Sequence, residues 1–508
     1  MFKSIFKSQN KSGFSDGRLE KFFSEFRKNT IGHDFEFDTP YGKKKLLYAD
    51  WIASGRLYAP IEDKMLHEFG PIIANTHTET SFTGAVMTHA YHKAKEYIKQ
   101  QVNAGENDAL IATGTGMTGA IVKFQRILGL KIADKFKNSI QWEETDKPVV
   151  FITHMEHHSN HTSWLETLAE VEIIQPDSQG QVDLEHLKEL LQKYATRKTK
   201  IASISSASNV TGVKTPFYDI AEIMHQNGGL CFVDFACSGP YVHIDMHPKQ
   251  RPLAKLDAIF LSPHKFLGGP GTSGLVIFDK ALYTSQTPDC PGGGTVVWTN
   301  PWDRHLYLDD IETREDGGTP GFLQLIRVAQ AFSLKKKMGV TNIEEREKEI
   351  IQYIFNNLKP ISNVKILADN LIDRVGAISF LIQDAHFNLV VRLLSDKYGI
   401  QVRGGCSCAG TYGHYLLQIA KETSRELMGK ILGGDIQNRP GWIRLSIHPT
   451  HTDAEVETMV QAITDIAANH QEYIKEYTYN SKSNTFSHVS QKEDLELALA
   501  IRCLDLEE

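Results

Sequence analysis

The sequence predicts an α/β protein: a large domain with a mostly parallel, doubly wound sheet, followed by a smaller α+β domain. Between residues 108 and 278, short apolar runs alternate with helical patterns, as in repeated βα units. The segment 184–194 shows the helical pattern, with apolar residues at 184, 187, 190 and 191. After residue 335 the pattern changes to two long helices, separated strands and a final amphipathic stretch at 453–469.

These patterns divide the chain into four parts. We expect an N-terminal arm at 1–45, a large domain at 46–335, a small domain at 336–472 and a polar C-terminal appendage at 473–508. The predicted strands are 109–113, 149–154, 171–175, 201–206, 230–235, 256–261, 274–278, 377–382, 401–403 and 442–447. Ligands of such sheets bind beyond the carboxyl ends of the strands. Polar residues that directly follow a strand are therefore the candidates for function.

Composition excludes several classes of function. The 508 residues carry a net charge of only −7, which argues against binding to nucleic acid or to an anionic membrane surface. No apolar run approaches the roughly 20 residues of a membrane-spanning helix, and no signal segment follows Met1. Six cysteines in so long a chain do not suggest a disulfide framework. We expect a cytoplasmic protein without a nucleic-acid or membrane partner.

The segment after the predicted strand 256–261 carries a lysine suited to carbonyl chemistry. The strand ends at a glycine-flanked turn that contains Ser262, His264 and Lys265. A lysine confined there should lose proton affinity, and only a neutral amine forms a Schiff base. The alternative interpretation is an ordinary surface lysine after a strand.

A glycine loop, residues 114–120, follows another strand and opens a helix. It satisfies the G-x-G-x-x-G/A pattern, whose glycines let the backbone approach a phosphate at the helix N-terminus. A dinucleotide would also require Asp134 at the end of a second strand, and 128–133 is equally typical of the end of a helix. A cofactor with a single phosphate therefore fits better than NAD.

A cluster of histidines at 154–161 follows the strand 149–154. The spacing could bind a metal ion only on a helix, and the H-E-x-x-H order is missing, so we predict no metal site. His157 could instead stack on an aromatic cofactor, or a histidine here could simply be satisfied in the core.

Two further strand ends and one loop carry candidate groups. Asp234 ends an apolar strand and should have a cationic partner, either within the fold or on a protonated pyridine nitrogen. Asn209 follows the preceding strand at the same level. Cys408 lies in a glycine-rich loop near Arg403, whose positive charge favours a reactive thiolate; the alternatives are a buried inert thiol or half of a metal clip. Arg444, within a strand, is either an ion-pair partner or a carboxylate clamp.

The order of these motifs resembles the fold-type I pyridoxal-phosphate enzymes of aminotransferase class V, and within them the cysteine desulfurase and selenocysteine lyase group. The resemblance covers about residues 45 to 470. Its most specific parts are Glu156–Asn160, Ser262–Lys265 and Arg403–Ala409.

The resemblance implies pyridoxal 5'-phosphate as the cofactor and assigns it a set of residues. Lys265 would hold the cofactor and move the substrate α-proton, His157 would stack on the ring, and Asp234 would pair with its nitrogen. Asn209 would lie near the ring hydroxyl or the substrate. The phosphate would be held by Thr115, Gly116, Ser262 and His264, with Thr319 reaching the phosphate of a partner subunit in a homodimer.

The resemblance also implies a reaction. Arg444, with Arg403, would bind the carboxylate of an amino-acid substrate, and Cys408 would take sulfur from L-cysteine as a persulfide, leaving L-alanine for release and sulfur for an acceptor protein. Two positions depart from the family pattern: Cys237 stands where glutamine is usual, and Cys406 where many relatives have histidine.

Three other functions remain open at this point. The first keeps the cofactor but makes the protein an aminotransferase, epimerase or lyase for another amino acid. The second is an NAD-dependent oxidoreductase built on the glycines at 114–119. The third is a catalytically silent binding protein of the same fold.

Overall fold

Nineteen strands and fifteen α-helices are formed by the residues that the computed structural model describes, which are 14, 17–140, 142–490 and 495–504. The remaining residues of the predicted arm and appendage lie outside the described ones. The strands are β1 (Glu36–Thr39), β2 (Gly42–Lys45), β3 (Leu47–Tyr48), β4 (Asp108–Thr113), β5 (Val149–Thr153), β6 (Glu170–Ile174), β7 (Lys200–Ser205), β8 (Leu230–Asp234), β9 (Ala258–Leu261), β10 (Gly274–Asp279), β11 (Val296–Thr299), β12 (His305–Tyr307), β13 (Val364–Ile366), β14 (Ala377–Ile382), β15 (Ile400–Gln401), β16 (Arg403–Gly405), β17 (Trp442–Ser446), β18 (Tyr477–Asn480) and β19 (Thr485–His488).

The fifteen α-helices of the described residues are distributed along the chain among these strands. They are α1 (Arg18–Lys28), α2 (Ala59–Asp63), α3 (Phe82–Gln101), α4 (Met117–Ile127), α5 (His158–Leu165), α6 (Leu184–Lys193), α7 (Phe217–Gln226), α8 (Ile311–Arg314), α9 (Phe322–Met338), α10 (Val340–Leu358), α11 (Phe387–Tyr398), α12 (Gly410–Leu417), α13 (Lys421–Leu432), α14 (Asp453–Tyr473) and α15 (Leu495–Arg502). None of them has the length and apolar character needed to cross a bilayer.

A seven-stranded sheet in the order β4-β10-β9-β8-β7-β5-β6 forms the large core. Only β10 runs antiparallel to its neighbours, so the prediction of a mostly parallel sheet is confirmed. Alternate residues of each strand face opposite layers: Val150 and Ile152 pack with α4 and α5, whereas Val149 and Phe151 pack with helices on the other face. Both faces are covered, which is why these strands are apolar throughout.

A four-stranded antiparallel sheet, β13-β14-β17-β16, forms a second core with α10, α11 and α14. The short strand β3 joins this core by pairing in parallel with β15. A segment from the beginning of the chain is thereby held at the edge of the second sheet. This pairing carries Asp50 towards β17, where it forms a bridge with Ser446.

Two segments bear on points that the sequence analysis left open. The predicted polar arm contains the amphipathic helix α1, which buries Leu19, Phe23 and Phe26. Residues 128–133, which a dinucleotide site would need as a strand, form none, and Asp134 begins a short 3₁₀ helix. The geometry of a dinucleotide-binding unit is therefore missing at this place.

We expect Thr452→Ala to lower the free energy of unfolding by about 1 kcal/mol, because it removes the cap of the long helix α14. The Thr452 side chain accepts a hydrogen bond from the N–H of Glu455, whose carboxylate accepts the N–H of Thr452 in return. Urea unfolding followed by circular dichroism measures the change. The control is Thr458→Ala on the exposed face of the same helix, where alanine should be neutral or slightly stabilising; equal losses in both variants would contradict the capping argument.

Candidate active site

A cleft of about 490 Å³ lies beyond the carboxyl ends of β5, β7, β8 and β9, where the edge of the second sheet faces the first. This is the position expected for a doubly wound sheet. Eleven of the predicted site residues line it: Thr115, Gly116, His157, Asn209, Asp234, Ser262, His264, Lys265, Arg403, Cys408 and Arg444. Thr319 lies apart from them on an adjacent cleft that also includes Thr115 and His264.

Lys265 ends the 3₁₀ turn Pro263–Lys265, directly after β9. The backbone is held by a hydrogen bond from the Lys265 N–H to the Ser262 carbonyl at 3.0 Å. Burial lowers the pKa of the Lys265 amine below its usual range, and the charge of Arg444 acts in the same direction. The structure thus favours the neutral, nucleophilic amine more than an exposed lysine would.

Asp234, the last residue of β8, is a buried carboxylate without an ionic partner among the described residues. One oxygen, Oδ1, accepts the N–H of Ala236 at 2.7 Å. Burial raises the pKa of Asp234 to about 7, although the nearby charge of Lys265 acts against this. The cationic partner that the sequence analysis expected is not supplied by the fold. An unpaired carboxylate on the wall of a cleft fits a cation brought by a ligand.

Glu156, which the sequence analysis quoted only as part of a motif, is the centre of a buried hydrogen-bond network next to the cleft. The carboxylate accepts hydrogen bonds from the Thr153 and Ser205 hydroxyls at 2.6 Å, from the Ser205 N–H at 2.9 Å and from Asn160 Nδ2 at 2.7 Å. Burial raises the pKa of Glu156, while these donors favour its ionised form. The network ties the end of β5 to the end of β7 and thereby fixes the residue that follows Glu156.

That residue is His157, the N-cap of α5. Its Nδ1 accepts the N–H of Ser159 at 3.0 Å, so the neutral ring carries its proton on Nε2. Burial lowers the pKa of His157 to about 3, and the charge of Lys265 contributes. His157 is therefore a neutral ring at the wall of the cleft, as an aromatic stacking partner would be. Among the described residues, no group of histidine, cysteine and acidic side chains is arranged to hold a metal ion.

The glycine loop encloses a space at the N-terminus of α4. A Cβ on Gly116 would lie 3.2 Å from Ser262 Oγ and 3.5 Å from His264 Nε2, so the glycine permits this close approach. Ser262 Oγ accepts the N–H of Met117 at 2.8 Å and joins the loop to the lysine turn. Burial lowers the pKa of His264 to about 4, again with a contribution from Lys265. Helix N–H groups beside a glycine loop form a place for a phosphate.

Two arginines meet at a carboxylate that the sequence analysis missed. Asp50 accepts Arg444 Nη2 at 2.7 Å and Arg403 Nε at 3.0 Å. Arg444 is buried, and its Nη1 also donates to the Asn209 carbonyl at 3.1 Å. The sequence could have indicated that such a carboxylate exists, because Arg444 lies within a strand and a buried arginine needs a carboxylate partner.

Polar atoms remain available to a ligand in this cleft. Arg444 Nε and Asn209 Oδ1 are buried and have no hydrogen-bond partner among the described residues. Buried polar atoms are usually satisfied, so such orphans on the wall of a cleft indicate a bound polar group.

Cys408 is exposed and lies at the corner of a tight turn beside the cleft. The turn is closed by a hydrogen bond from the Ala409 N–H to the Cys406 carbonyl at 3.0 Å. Asn209 Nδ2 donates to the Ser407 carbonyl at 2.7 Å, which connects the cysteine loop to the sheet. Cys408 thus lines the same cleft as Asp234, Lys265 and Arg444.

Comparisons with known proteins agree with this arrangement. The aminotransferase class-V family model matches residues 47–459. A probable cysteine desulfurase of Staphylococcus aureus (strain COL) is 28% identical over 389 residues, which cover 76% of this chain and 88% of the relative. A probable cysteine desulfurase of Halalkalibacterium halodurans is 28% identical over 368 residues, covering 72% of this chain and 84% of the relative.

Solved structures confirm the predicted fold class. The apo cysteine desulfurase of Thermococcus onnurineus NA1 has a TM-score of 0.70 at 20% identity, covering 88% of this chain and 98% of its own. The cysteine desulfurase CsdA of Escherichia coli, in an S-sulfonic acid form, has a TM-score of 0.66 at 20% identity with the same coverage.

We expect Asp234→Asn to stabilise the ligand-free protein, increasingly as the pH rises from 4 to 8. The pKa of Asp234 is about 7 in the folded protein, above that of an unfolded aspartate. The stability associated with the protonated group is therefore complete below about pH 4 and is lost as the pH rises through 7. The gain at pH 8 is up to about 4 kcal/mol.

Urea unfolding at pH 4, 6 and 8 measures this gain, with exposed Asp303→Asn as the control that should show none. A pH-independent difference between wild type and Asp234→Asn would show that Asp234 is not a strained buried charge.

Proposed function

Because the chain belongs to the aminotransferase class-V family of pyridoxal-phosphate-dependent enzymes, we propose that it is a cysteine desulfurase that converts L-cysteine to L-alanine. One observation carries the proposal: exposed Cys408 lines the same cleft as Lys265 and Asp234. A thiol beside a nucleophilic lysine and an unpaired carboxylate suits the removal of sulfur from an amino acid.

The residues of the cleft fit pyridoxal 5'-phosphate. The buried, unpaired Asp234 would pair with the ring nitrogen, and the orphaned Oδ1 of Asn209 could accept from the ring hydroxyl or the substrate. His157 would cover one face of the ring. The phosphate would be bound at the N-terminus of α4 by Thr115, Gly116, Ser262 and His264. When bound, this cofactor supplies an aldehyde for the amine of Lys265 or of the substrate, and a ring that stabilises negative charge on the substrate Cα.

Lys265 would act twice, as the cofactor's anchor and as the base for the substrate Cα proton. Both roles require the neutral amine, and burial moves the pKa of Lys265 in that direction. A lysine released from the cofactor stays close to the substrate because the turn Pro263–Lys265 is fixed by backbone hydrogen bonds. Short proton transfers of this kind contribute about 10² to 10⁴ in rate.

Arg444 and Arg403 would bind the substrate carboxylate. Asp50 already occupies one side of each guanidinium, which fixes both side chains and leaves Arg444 Nε free to donate. A fixed planar guanidinium selects a carboxylate over a neutral group. This arrangement favours an α-amino acid with a free carboxylate as the substrate.

Cys408 would then accept the sulfur. Its thiolate attacks the substrate sulfur, an S–S bond forms, and the bond between sulfur and the substrate Cβ breaks. The electron pair of that bond remains on carbon, which takes up a proton, so the products are alanine and a persulfide on Cys408. An acceptor thiol, on a sulfur-acceptor protein, then attacks the outer sulfur and restores Cys408.

We also propose a homodimer in which Thr319 reaches the phosphate site of the partner subunit. Thr319 is exposed in a cleft of about 650 Å³ that shares Thr115 and His264 with the phosphate end of the main cleft. The same proposal divides the chain into a large domain (46–335) and a small domain (336–472), with the arm before them and the appendage after them. It also places the protein in the cytoplasm.

Cys408→Ala should abolish release of sulfide from L-cysteine under a reducing agent while the exchange of the substrate α-proton with deuterated solvent continues within about twofold, because Lys265 and not Cys408 moves that proton. Sulfide release and mass spectrometry of the substrate measure the two steps. Cys503→Ala, at an exposed cysteine near the C-terminus, is the matched control. Unchanged sulfide release in Cys408→Ala would instead favour an aminotransferase, epimerase or lyase acting on another amino acid.

The purified protein should absorb near the visible range after addition of pyridoxal 5'-phosphate, and borohydride should fix the cofactor on Lys265. Peptide mass spectrometry locates the reduced adduct. Lys265→Ala should give none, whereas Lys188→Ala, at an exposed helix position, should label as the wild type does. A protein that takes up no cofactor would instead be the catalytically silent member of the fold.

A further inference from the structure

We propose that His158 is a positioning residue that holds the turn carrying Cys408 in the conformation that presents the thiol to the cleft. The proposal rests on the proposed function, because it assigns His158 to the sulfur-transfer half of that reaction. His158 is separate in role from its neighbour His157, which faces the ring site.

The turn around Cys408 is strained. Ser407 and Cys408 have φ angles of 51° and 56°, both in the left-handed region, and the turn is closed between Cys406 and Ala409. Two-residue turns of this shape normally use Asn-Gly or Gly-Gly, because other residues pay a steric cost at positive φ. A serine and a cysteine would not hold this conformation by themselves. Contacts from outside the turn have to maintain it.

His158 supplies two such contacts, both to the backbone that directly follows the Cα of Cys408. Its backbone N–H donates to the Cys408 carbonyl at 2.7 Å, and its Nε2 accepts the N–H of Gly410 at 2.9 Å. The backbone donor is one of the N–H groups that the first turn of α5 leaves without a partner inside the helix. A Cβ on Gly410 would lie 3.2 Å from His158 Nε2, so the glycine allows the ring to approach.

Other side chains contact the residues before Cys408 or lie further along the chain: Arg439 Nη2 is 3.6 Å from Cys406 Sγ, and His161 Nδ1 is 3.1 Å from Thr411 Oγ1. Asn209 Nδ2 donates to the Ser407 carbonyl at 2.7 Å, and Trp442 Nε1 donates to the Ser407 hydroxyl at 3.2 Å. Among the described residues, the side chain of His158 is thus the contact that fixes the N–H of Gly410, two residues after Cys408. Burial lowers the pKa of His158, with Arg439 contributing, so the ring stays neutral and its Nε2 can accept.

Three adjacent residues connect the proposed cofactor side of the cleft with the turn that carries Cys408. Glu156 anchors the segment, His157 lies on the cofactor side, and His158 holds the cysteine turn. A change at His158 should therefore disturb sulfur transfer much more than proton transfer at the substrate Cα.

The test compares His158→Leu, which keeps the bulk but removes the acceptor, with His158→Gln, whose side-chain carbonyl can accept from Gly410. We expect His158→Leu to lower sulfide release from L-cysteine about tenfold. Exchange of the α-proton should stay within about twofold of wild type, and His158→Gln should recover most of the sulfide release. In the resting protein, hydrogen–deuterium exchange of a peptide spanning 406–412 should accelerate in His158→Leu, while a peptide spanning 149–153 is unchanged.

Three results would overturn the proposal: equal losses in both reactions, unchanged sulfide release, or no recovery by His158→Gln. Should His158→Leu fail to fold, Gly410→Ala presses on the same hydrogen bond from the other side and should give the same pattern. The hydrogen–deuterium exchange needs no substrate. If the wild type releases no sulfide, the proposed function fails, whereas the turn-holding role stands or falls on the exchange rates alone.

Discussion

A buried carboxylate without a cation of its own is the constraint on which the rest of the site depends. Asp234 ends the central strand β8, where parallel strands surround it and helices cover both faces of the sheet. Its side chain is buried, and among the described residues its carboxylate accepts one hydrogen bond, from the backbone N–H of Ala236. The folded protein therefore carries an electrostatic cost that a cationic ring nitrogen would remove. Binding of a cofactor with such a ring would therefore itself remove this electrostatic cost.

Burial also shifts the pKa values of the titratable groups that surround Asp234. His157, His264 and Lys265 all have pKa values that burial moves toward the neutral form. Burial disfavours the charged forms of both rings and of the Lys265 amine, whereas Arg444 and Arg403 add positive charge that Asp50 partly compensates. An anionic substrate group is then attracted to one end of the cleft and a phosphate to the other.

How much of this could be predicted from the sequence depends on the distance along the chain over which each contact forms. The apolar runs predicted the bounds of β5, β7, β8 and β9 to within two residues. A strand that is buried on both faces consists of consecutive apolar residues, which the sequence shows directly. The groups at their ends, such as Asp234 and Lys265, followed from the rule that strand ends converge.

Asp50 could not be found in this way. Its place beside Arg444 arises from the pairing of β3 with β15 and a bridge to Ser446, contacts that join residues several hundred positions apart. Likewise, the left-handed turn at Cys408 has none of the glycine or asparagine signals that mark such turns.

Cys237 shows why departures from a family pattern have to be judged from their surroundings. Burial raises the pKa of the Cys237 thiol to about 12, and its Sγ is 3.6 Å from the Ser208 carbonyl. A protonated, buried thiol is a poor nucleophile, so Cys237 would not compete with exposed Cys408, the proposed sulfur acceptor. It is also a weaker hydrogen-bond donor than the glutamine amide it stands for. The ring hydroxyl of a bound cofactor would then depend more on Asn209, the same side chain that holds the Cys408 turn through Ser407. In this protein one side-chain amide, that of Asn209, would both bind the ring hydroxyl of the cofactor and help to hold Cys408, the proposed sulfur acceptor, in place.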